Sequence, residues 1–132
     1  MAKIWGEAKR LIDTPKYKMD LLQLKKDSFC STHYHSEKFN EFKLLKGKVM
    51  IELYGKGMKV LEKLNDSFIV PPCVVHRFIA LEDSEVLEYI YVRDGEVSEE
   101  DIKRYKQGGM FVEGEEKTEE ELKVKDGSDG SK

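Results

Sequence analysis

Apolar and polar residues alternate in short runs between positions 17 and 92 of the chain. An alternation with a period of two residues is typical of antiparallel strands with one buried face. Turn signals such as Lys46-Gly47 and Asn65-Asp66 separate the runs. Since no helical pattern lies between them, an all-β sandwich or closed barrel is favoured. The pattern predicts strands over residues 19–24, 29–35, 42–45, 49–54, 58–64, 68–70, 74–81 and 86–92.

The pattern changes after Gly95. Ser98 is followed by three acidic residues, and a hydroxyl N-cap with acidic residues in the first turn is typical of a helix start. Ile102 and Tyr105 would then lie on one face of that helix. We therefore predict a short helix that ends near residues 108–109.

The last part of the chain has a different composition. From residue 114 onward it consists mainly of Glu, Lys, Gly, Ser and Asp, which offer little apolar surface to bury. The total length of 132 residues is that of one domain. We expect residues 1–113 to form a single barrel domain with its short C-terminal helix, and residues 114–132 to form a charged, mobile tail.

Charge and hydropathy restrict the function classes. The 23 basic and 26 acidic residues give a net charge of -3, so no basic excess favours nucleic acid or an anionic membrane. No apolar run approaches the roughly 18 residues that cross a bilayer, and no hydrophobic segment begins the chain. We expect a cytoplasmic protein that binds neither nucleic acid nor a membrane. Cys30 and Cys73 are expected to be reduced thiols, with a bridge between them as the alternative.

The sequence contains three histidines, and their positions are its most informative feature. His33 and His35 lie two apart in a predicted strand, so their imidazoles project from the same face. His76 stands at the start of another predicted strand. Three imidazoles hold divalent transition metals such as Zn, Mn, Fe or Ni and leave coordination positions open. We predict a metal site on these residues, although an H-x-H pair alone also occurs by chance.

The sequence around the histidines resembles the two motifs of the cupin superfamily. His33-Tyr34-His35 and Gly47 resemble the first motif, in which H-x-H is followed by a carboxylate and, seven residues later, a glycine. Residues 71–76 resemble the second motif, P-x-G-x-x-H, with Cys73 in place of its glycine.

The resemblance extends over residues 4–107. This region is similar to the cupin domain of type II phosphomannose isomerases, which also forms the carboxy-terminal part of bifunctional mannose-1-phosphate guanylyltransferases. It includes Trp5-Gly6, the segment from Val70 to Phe78 and the segment from Leu87 to Gly95. The resemblance implies a single-domain jelly-roll barrel, a bound metal and a homodimer that pairs through an outer sheet face.

A fourth metal ligand is expected near the start of the strand at 42–45. Counting back seven residues from Gly47 leads to Asn40, where the family has a carboxylate. Asn40 shares the face of Phe42 in that strand, while Glu41 points the other way. We predict Asn40 as the ligand, with Glu41 as the alternative if a β-bulge rotates it inward.

The resemblance implies an enzyme that interconverts an aldose and a ketose, acting on a sugar or sugar phosphate. Asn40 and Tyr91 stand where the family has acidic residues, so Glu41 or Glu37 is left as the catalytic base. Arg77 would hold a phosphate or carboxylate at the barrel mouth, or point outward into solvent. The alternatives are a non-catalytic cupin that binds a small carbohydrate, and a three-histidine iron oxygenase.

Overall fold

The computed structural model describes residues 2–127, which form fourteen strands and one helix. In chain order these are β1 (Ala2–Lys3), β2 (Gly6–Asp13), β3 (Tyr17–Leu24), β4 (Ser28–Phe29), β5 (Thr32–Tyr34), β6 (Lys38–Lys46), β7 (Val49–Leu53), β8 (Gly57–Leu61), β9 (Ser67–Val70), β10 (His76–Ala80), β11 (Ser84–Val92), β12 (Lys103–Lys106), β13 (Gly109–Val112), β14 (Glu115–Thr118) and α1 (Glu119–Gly127). The all-β class predicted from the sequence is confirmed.

The strands belong to two antiparallel sheets. The first has the order β1-β2-β3-β11-β6-β9, and the second has the order β12-β5-β10-β4-β13-β14. In the second sheet β7 also pairs with β10, and β8 pairs with β7. Strands that are distant in sequence are therefore neighbours in both sheets, which brings β5 beside β10.

The hydrophobic core lies between the inner faces of the two sheets. Its buried side chains alternate along the longer strands with exposed or half-buried ones, as a one-sided sheet requires. The first sheet contributes residues such as Leu22, Phe42 and Val86, and the second contributes residues such as Ile51 and Phe78. Three of the core residues, Cys30, Phe42 and Phe78, also line the polar cavity described below.

The backbone geometry explains why glycine occupies position 47 of the first cupin-like motif. Its φ angle is 93°, in the region that favours glycine, and an added Cβ would lie 2.2 Å from the Ser84 Oγ. The backbone N–H of the next residue, Lys48, donates a hydrogen bond to that hydroxyl. The glycine therefore allows the turn after β6 to pack closely against the start of β11.

The helix predicted after Ser98 is wrong. The short segment before β12 is irregular, and β12 pairs with β5. The acidic residues cap another segment instead of a helix, because the Asp101 carboxylate accepts the backbone N–H groups of Ser36, Glu37 and Lys38 at 2.6, 2.8 and 3.0 Å. Side chains of this type satisfy loop amides as readily as helix N-termini.

The prediction of a mobile tail from residue 114 is wrong for the described part of that segment. Strand β14 pairs with β13 along its whole length, and α1 follows it directly. Thr118 and Glu121 form a capping box, since each side chain accepts the backbone N–H of the other residue. Residues 128–132 of the predicted tail lie outside the described residues.

The nine-residue helix α1 is too short and too polar to cross a membrane.

Candidate metal centre

The fold brings the three histidines together. His33 lies on β5 and is paired directly with His76 at the start of the neighbouring strand β10, while His35 follows β5 by one residue. The ring centroids are 4.6 Å apart for His33 and His76, 4.9 Å for His33 and His35, and 5.7 Å for His35 and His76. One nitrogen from each ring lies within 4.8 Å of the others. That distance is slightly longer than two metal–nitrogen bonds of about 2 Å each.

Each imidazole is oriented through its Nδ1 atom. The Nδ1 of His33 lies 2.7 Å from the carbonyl oxygen of Ser31, and the Nδ1 of His76 lies 2.9 Å from that of Val74. The Nδ1 of His35 lies 2.7 Å from the carbonyl oxygen of Asp101. Because a carbonyl only accepts hydrogen bonds, Nδ1 carries the proton in each ring, and the lone pair remains on Nε2. This is the arrangement in which backbone groups orient metal-binding histidines.

Three buried atoms on residues that line the cavity have no hydrogen-bond partner among the described residues. They are the Nε2 atoms of His35 and His76 and the Oδ1 atom of Asn40. A buried polar atom without a partner costs about 1–3 kcal/mol, so such atoms require an explanation. All three carry lone pairs, which is what a divalent transition metal needs from its ligands. The donor set therefore fits the ion that the sequence predicted.

Asn40 occupies the position that strand parity predicted for it. It lies on β6 with 3% of its surface exposed and lines the same cavity as the imidazoles. Its Nδ2 atom donates a hydrogen bond of 2.5 Å to Oε2 of Glu88. This bond fixes the orientation of the amide, so that Oδ1 is left as the available acceptor.

Glu88 is the carboxylic acid that the sequence reasoning missed. It lies on β11, is half-buried and lines the cavity beside Asn40. Its removal from bulk water raises its pKa to about 7, while the hydrogen bond from Asn40 acts in the opposite direction. Strand parity would have identified it, because Glu88 shares a face with the buried residues Val86 and Ile90. An acidic residue on the apolar face of a strand is a signal for a functional site.

The structure does not bring the predicted base Glu41 into this cavity. Glu41 is paired with Tyr89 on one side and Ile69 on the other, and its side chain lies on the outer face of the first sheet. Glu37 is exposed in the loop before β6. Tyr91 also lies on the outer face, where its ring stacks on Phe39 with centroids 5.3 Å apart. Strand β6 is regularly paired at this point and has no bulge. The Glu41 side chain therefore stays on the outer face of the first sheet.

Arg77 is also outside the cavity. It follows His76 on β10, so its side chain projects from the opposite face of the second sheet. There its Nε donates to Glu52 at 2.7 Å, and its two terminal nitrogens donate to Glu116 at 3.1 and 2.9 Å. The guanidinium also lies 4.8 Å from the ring centroid of Phe29. The predicted role at the barrel mouth is therefore wrong, and the outward alternative applies.

Cys73 shows why the second motif has a glycine at its position. Its φ angle is 69°, and its backbone N–H donates a 2.6 Å hydrogen bond to the carbonyl oxygen of His35. A left-handed backbone at this point links the two histidine-bearing segments. Neither cysteine forms a disulfide in the structure; Cys30 is buried, whereas Cys73 is exposed and not partly buried as expected. Burial raises the pKa of the Cys30 thiol to about 12, so it is protonated at neutral pH.

The three imidazoles are neutral at physiological pH. Burial lowers the pKa of His33 to about 3 and that of His35 to about 4, and it also lowers the pKa of His76. A metal ion binds only the unprotonated nitrogen, so these residues need not lose a proton before they bind. They line a cavity of about 490 Å³, whose apolar wall includes Trp5, Phe42 and Phe78.

Comparison with known proteins identifies the fold. No protein-family model matches the sequence, and no curated protein matches it. KdgF from a Halomonas species superposes with a TM-score of 0.59 at 24% identity, over 66% of this chain and 78% of that one. An RmlC-like cupin protein from Desulfovibrio desulfuricans superposes with a TM-score of 0.58 at 17% identity, over 64% and 80% of the two chains.

A larger enzyme contains a similar domain. The salicylate 1,2-dioxygenase of Pseudaminobacter salicylatoxidans superposes with a TM-score of 0.56 at 18% identity, over 63% of this chain and 25% of that one. Together these similarities show that the chain has the cupin fold, as the sequence predicted.

Proposed function

We propose that this cupin-fold protein binds a divalent transition metal, either Zn, Mn, Fe or Ni, on His33, His35 and His76, with Asn40 as the fourth ligand. We further propose that it interconverts the aldose and ketose forms of a sugar or sugar phosphate. The observation that carries the proposal is the set of three imidazoles, each held through Nδ1 with its Nε2 lone pair available. A cavity of about 490 Å³ beside them has room for a small carbohydrate.

The cavity provides the groups that such a reaction needs. When bound, the metal would polarise a carbonyl and the neighbouring hydroxyl of the sugar. Asn40 fixes the Glu88 carboxyl through its Nδ2 hydrogen bond, and both residues line the cavity. We assign to Glu88 the proton transfer between the two carbons, in place of Glu41 and Glu37. Trp5 and Phe78 pack edge to face at 5.2 Å and form part of the apolar wall of the cavity.

A screen for isomerisation tests this function. Aldoses and their phosphates are incubated with protein loaded with Mn, Zn, Ni or Fe, and ketose formation is measured. We expect conversion by the wild type and a loss of at least about a hundredfold in kcat for Glu88→Gln, with the metal content retained. Glu41→Gln is the matched control on the outer face and should keep full activity. Absence of ketose with all four metals would contradict the proposal.

A second candidate function is that of a three-histidine iron oxygenase. The specific observation in its favour is the neutral ligand set, since no carboxylate of residues 2–127 joins the three imidazoles. The fold is shared with a salicylate 1,2-dioxygenase. Oxygen consumption by the iron-loaded protein, without ketose formation, would favour this candidate. Sugar binding without any turnover would instead favour a non-catalytic carbohydrate-binding cupin.

We also propose that the protein forms a homodimer through the outer face of its first sheet. Tyr89 is paired with Met19 on one side and with Glu41 on the other, and Ile69, 45% exposed, follows Glu41 in the same row. Tyr17 stacks on Tyr89 with centroids 6.3 Å apart. The aromatic and apolar side chains on either side of Glu41 on this outer sheet face support an interface between two copies.

Light scattering after size-exclusion chromatography tests the dimer. We expect a dimer for the wild type and a monomer for Ile69→Glu, because the new carboxylate would be buried without a partner. Met58→Glu is the control, since Met58 is 63% exposed on the second sheet. A monomeric wild type, or a dimer that survives Ile69→Glu, would exclude this interface.

A further inference from the structure

Lys38 is a buried cation on the wall of the cavity. It is on β6, two residues before Asn40 on the same face, and only 7% of its surface is exposed. Its ammonium forms no hydrogen bond to the described residues and no ion pair with them within 4.0 Å. Lysines this strongly buried are nearly always paired, because an isolated buried charge is costly. Its ammonium is not fully enclosed, so a ligand in the cavity can reach it.

Arg104 is a second cation on the wall of the same cavity. It lies on β12 and is paired with His33 on β5, which places its side chain on the face that carries the imidazoles. Its guanidinium forms no hydrogen bond to the described residues. Arg10 and Arg77 behave differently, because each of them holds at least two carboxylates. Arg104 is thus free to bind a ligand.

No described acidic group forms an ion pair with either cation within 4.0 Å, although the charges of Glu99, Asp101 and Glu88 act on Lys38 from a longer distance. Glu88 accepts the hydrogen bond of Asn40 and lies beyond ion-pair distance from Lys38. Glu119 also lines the cavity, but it pairs with Lys123 at 3.5 Å. Both cations therefore remain available for a direct contact with a negatively charged ligand.

We propose that Lys38 and Arg104 form an anion subsite, which holds the carboxylate or phosphate group of an acidic sugar while its other oxygens face the imidazoles. The subsite adds a substrate class to the proposed function. It rests on that function, because only the proposed function identifies the ligand as a sugar. Guanidinium groups bind carboxylate and phosphate through two parallel hydrogen bonds, and a lysine adds a compact charge. Together they would select acidic sugars over neutral ones of the same size.

Calorimetric titration of the metal-loaded protein tests the subsite. D-glucuronate and D-glucose 6-phosphate are the acidic probes, one for each anionic group, and D-glucose is the neutral probe. We expect at least one acidic probe to bind about tenfold more tightly than glucose. Lys38→Met and Arg104→Gln should each weaken that binding about tenfold, without changing glucose binding or the metal content.

Lys43→Met is the matched control, because Lys43 lies on the same strand with its side chain on the opposite face. It should bind all three probes like the wild type. Arg104 is exposed on an edge strand, so Arg104→Gln keeps the test valid even if Lys38→Met fails to fold. Equal binding of acidic and neutral probes, or wild-type binding by both variants, would overturn the subsite.

The outcome for the subsite can be separated from that for the isomerase. If acidic probes bind through Lys38 and Arg104 but no aldose is converted, the subsite stands and the proposed reaction fails. If neutral and acidic aldoses are converted equally and neither variant affects them, the reaction stands and the subsite fails.

Discussion

Replacing His76 by glutamine should weaken the binding of a divalent transition metal by at least about a hundredfold while the β-sheet circular dichroism stays unchanged. The Nε2 atom of His76 is buried, faces His33 and His35, and has no other partner among the described residues. The variant would leave two imidazoles, and even the loss of a residue that orients a ligand costs 10–100-fold in affinity. Metal content after dialysis, measured by mass spectrometry, provides the readout.

Asn40→Asp is the complementary variant. It keeps the size of the side chain and replaces a neutral oxygen donor by a charged one, so it should bind the metal more tightly if Asn40 faces the ion. Glu41→Gln should leave the metal content unchanged, because Glu41 lies on the outer face of its strand. Full metal content in His76→Gln, or a loss in Glu41→Gln, would show that the ligands are assigned wrongly.

Replacing Arg77 by methionine should lower the free energy of unfolding by about 2–4 kcal/mol and leave the metal content unchanged. Only 11% of the Arg77 side chain is exposed, and the substitution removes its hydrogen bonds to Glu52 and Glu116. Breaking a buried ion pair costs about 3–5 kcal/mol. We expect a smaller loss, because the two carboxylates are 45% and 46% exposed and can regain water. Urea unfolding followed by tryptophan fluorescence measures the change.

Glu116→Gln is the control for this ion pair. It removes one of the two carboxylates and keeps the shape of the side chain, so its loss of stability should be smaller than that of Arg77→Met. If Arg77→Met unfolds like the wild type but fails to bind glucose 6-phosphate, then Arg77 belongs to the ligand site and its structural assignment here is incorrect.

The alternation of apolar residues predicted the central strands because they have one buried face. Strand β6 is the clearest case, since buried residues occur at every second position from Lys38 to Leu44. The same signal missed β2, which is mostly exposed, and β14, which is held by pairing with β13 rather than by burial. Short edge strands depend on hydrogen bonds to a neighbour, and a sequence pattern does not show that neighbour.

The helix prediction failed for a related reason. Ser98 and the acidic residues after it satisfied the rule for a helix N-terminus, yet Asp101 caps the backbone amides of the loop that follows His35. The rule describes local hydrogen-bonding capacity, and the partner came from a distant segment. The helix that does form begins after Thr118, and the Thr118 and Glu121 capping box was present in the sequence.

The residues of the candidate site could be predicted where strand parity determines the face on which a side chain lies. Parity placed His33 with His35 and placed Asn40 in the interior, and the motif resemblance added His76. Strand parity also predicted that the Arg77 side chain points away from the cavity, whereas the resemblance suggested a role at the barrel mouth. In the structure Arg77 contacts Glu52 on the outer face, as parity predicted. Glu88 was not predicted, because the resemblance placed the acidic residue at the position of Tyr91. The pairing of β5 with β10, which places His76 beside His33, is visible only in the folded structure.

X-ray absorption spectroscopy of the protein loaded with one equivalent of Zn²⁺ tests the central claim most directly, because imidazole rings give characteristic scattering from their outer atoms. Three imidazole ligands are predicted in the wild type and two in His76→Gln. A spectrum with only oxygen ligands or a single imidazole, or a wild-type protein that retains no zinc, would contradict a metal centre on His33, His35 and His76.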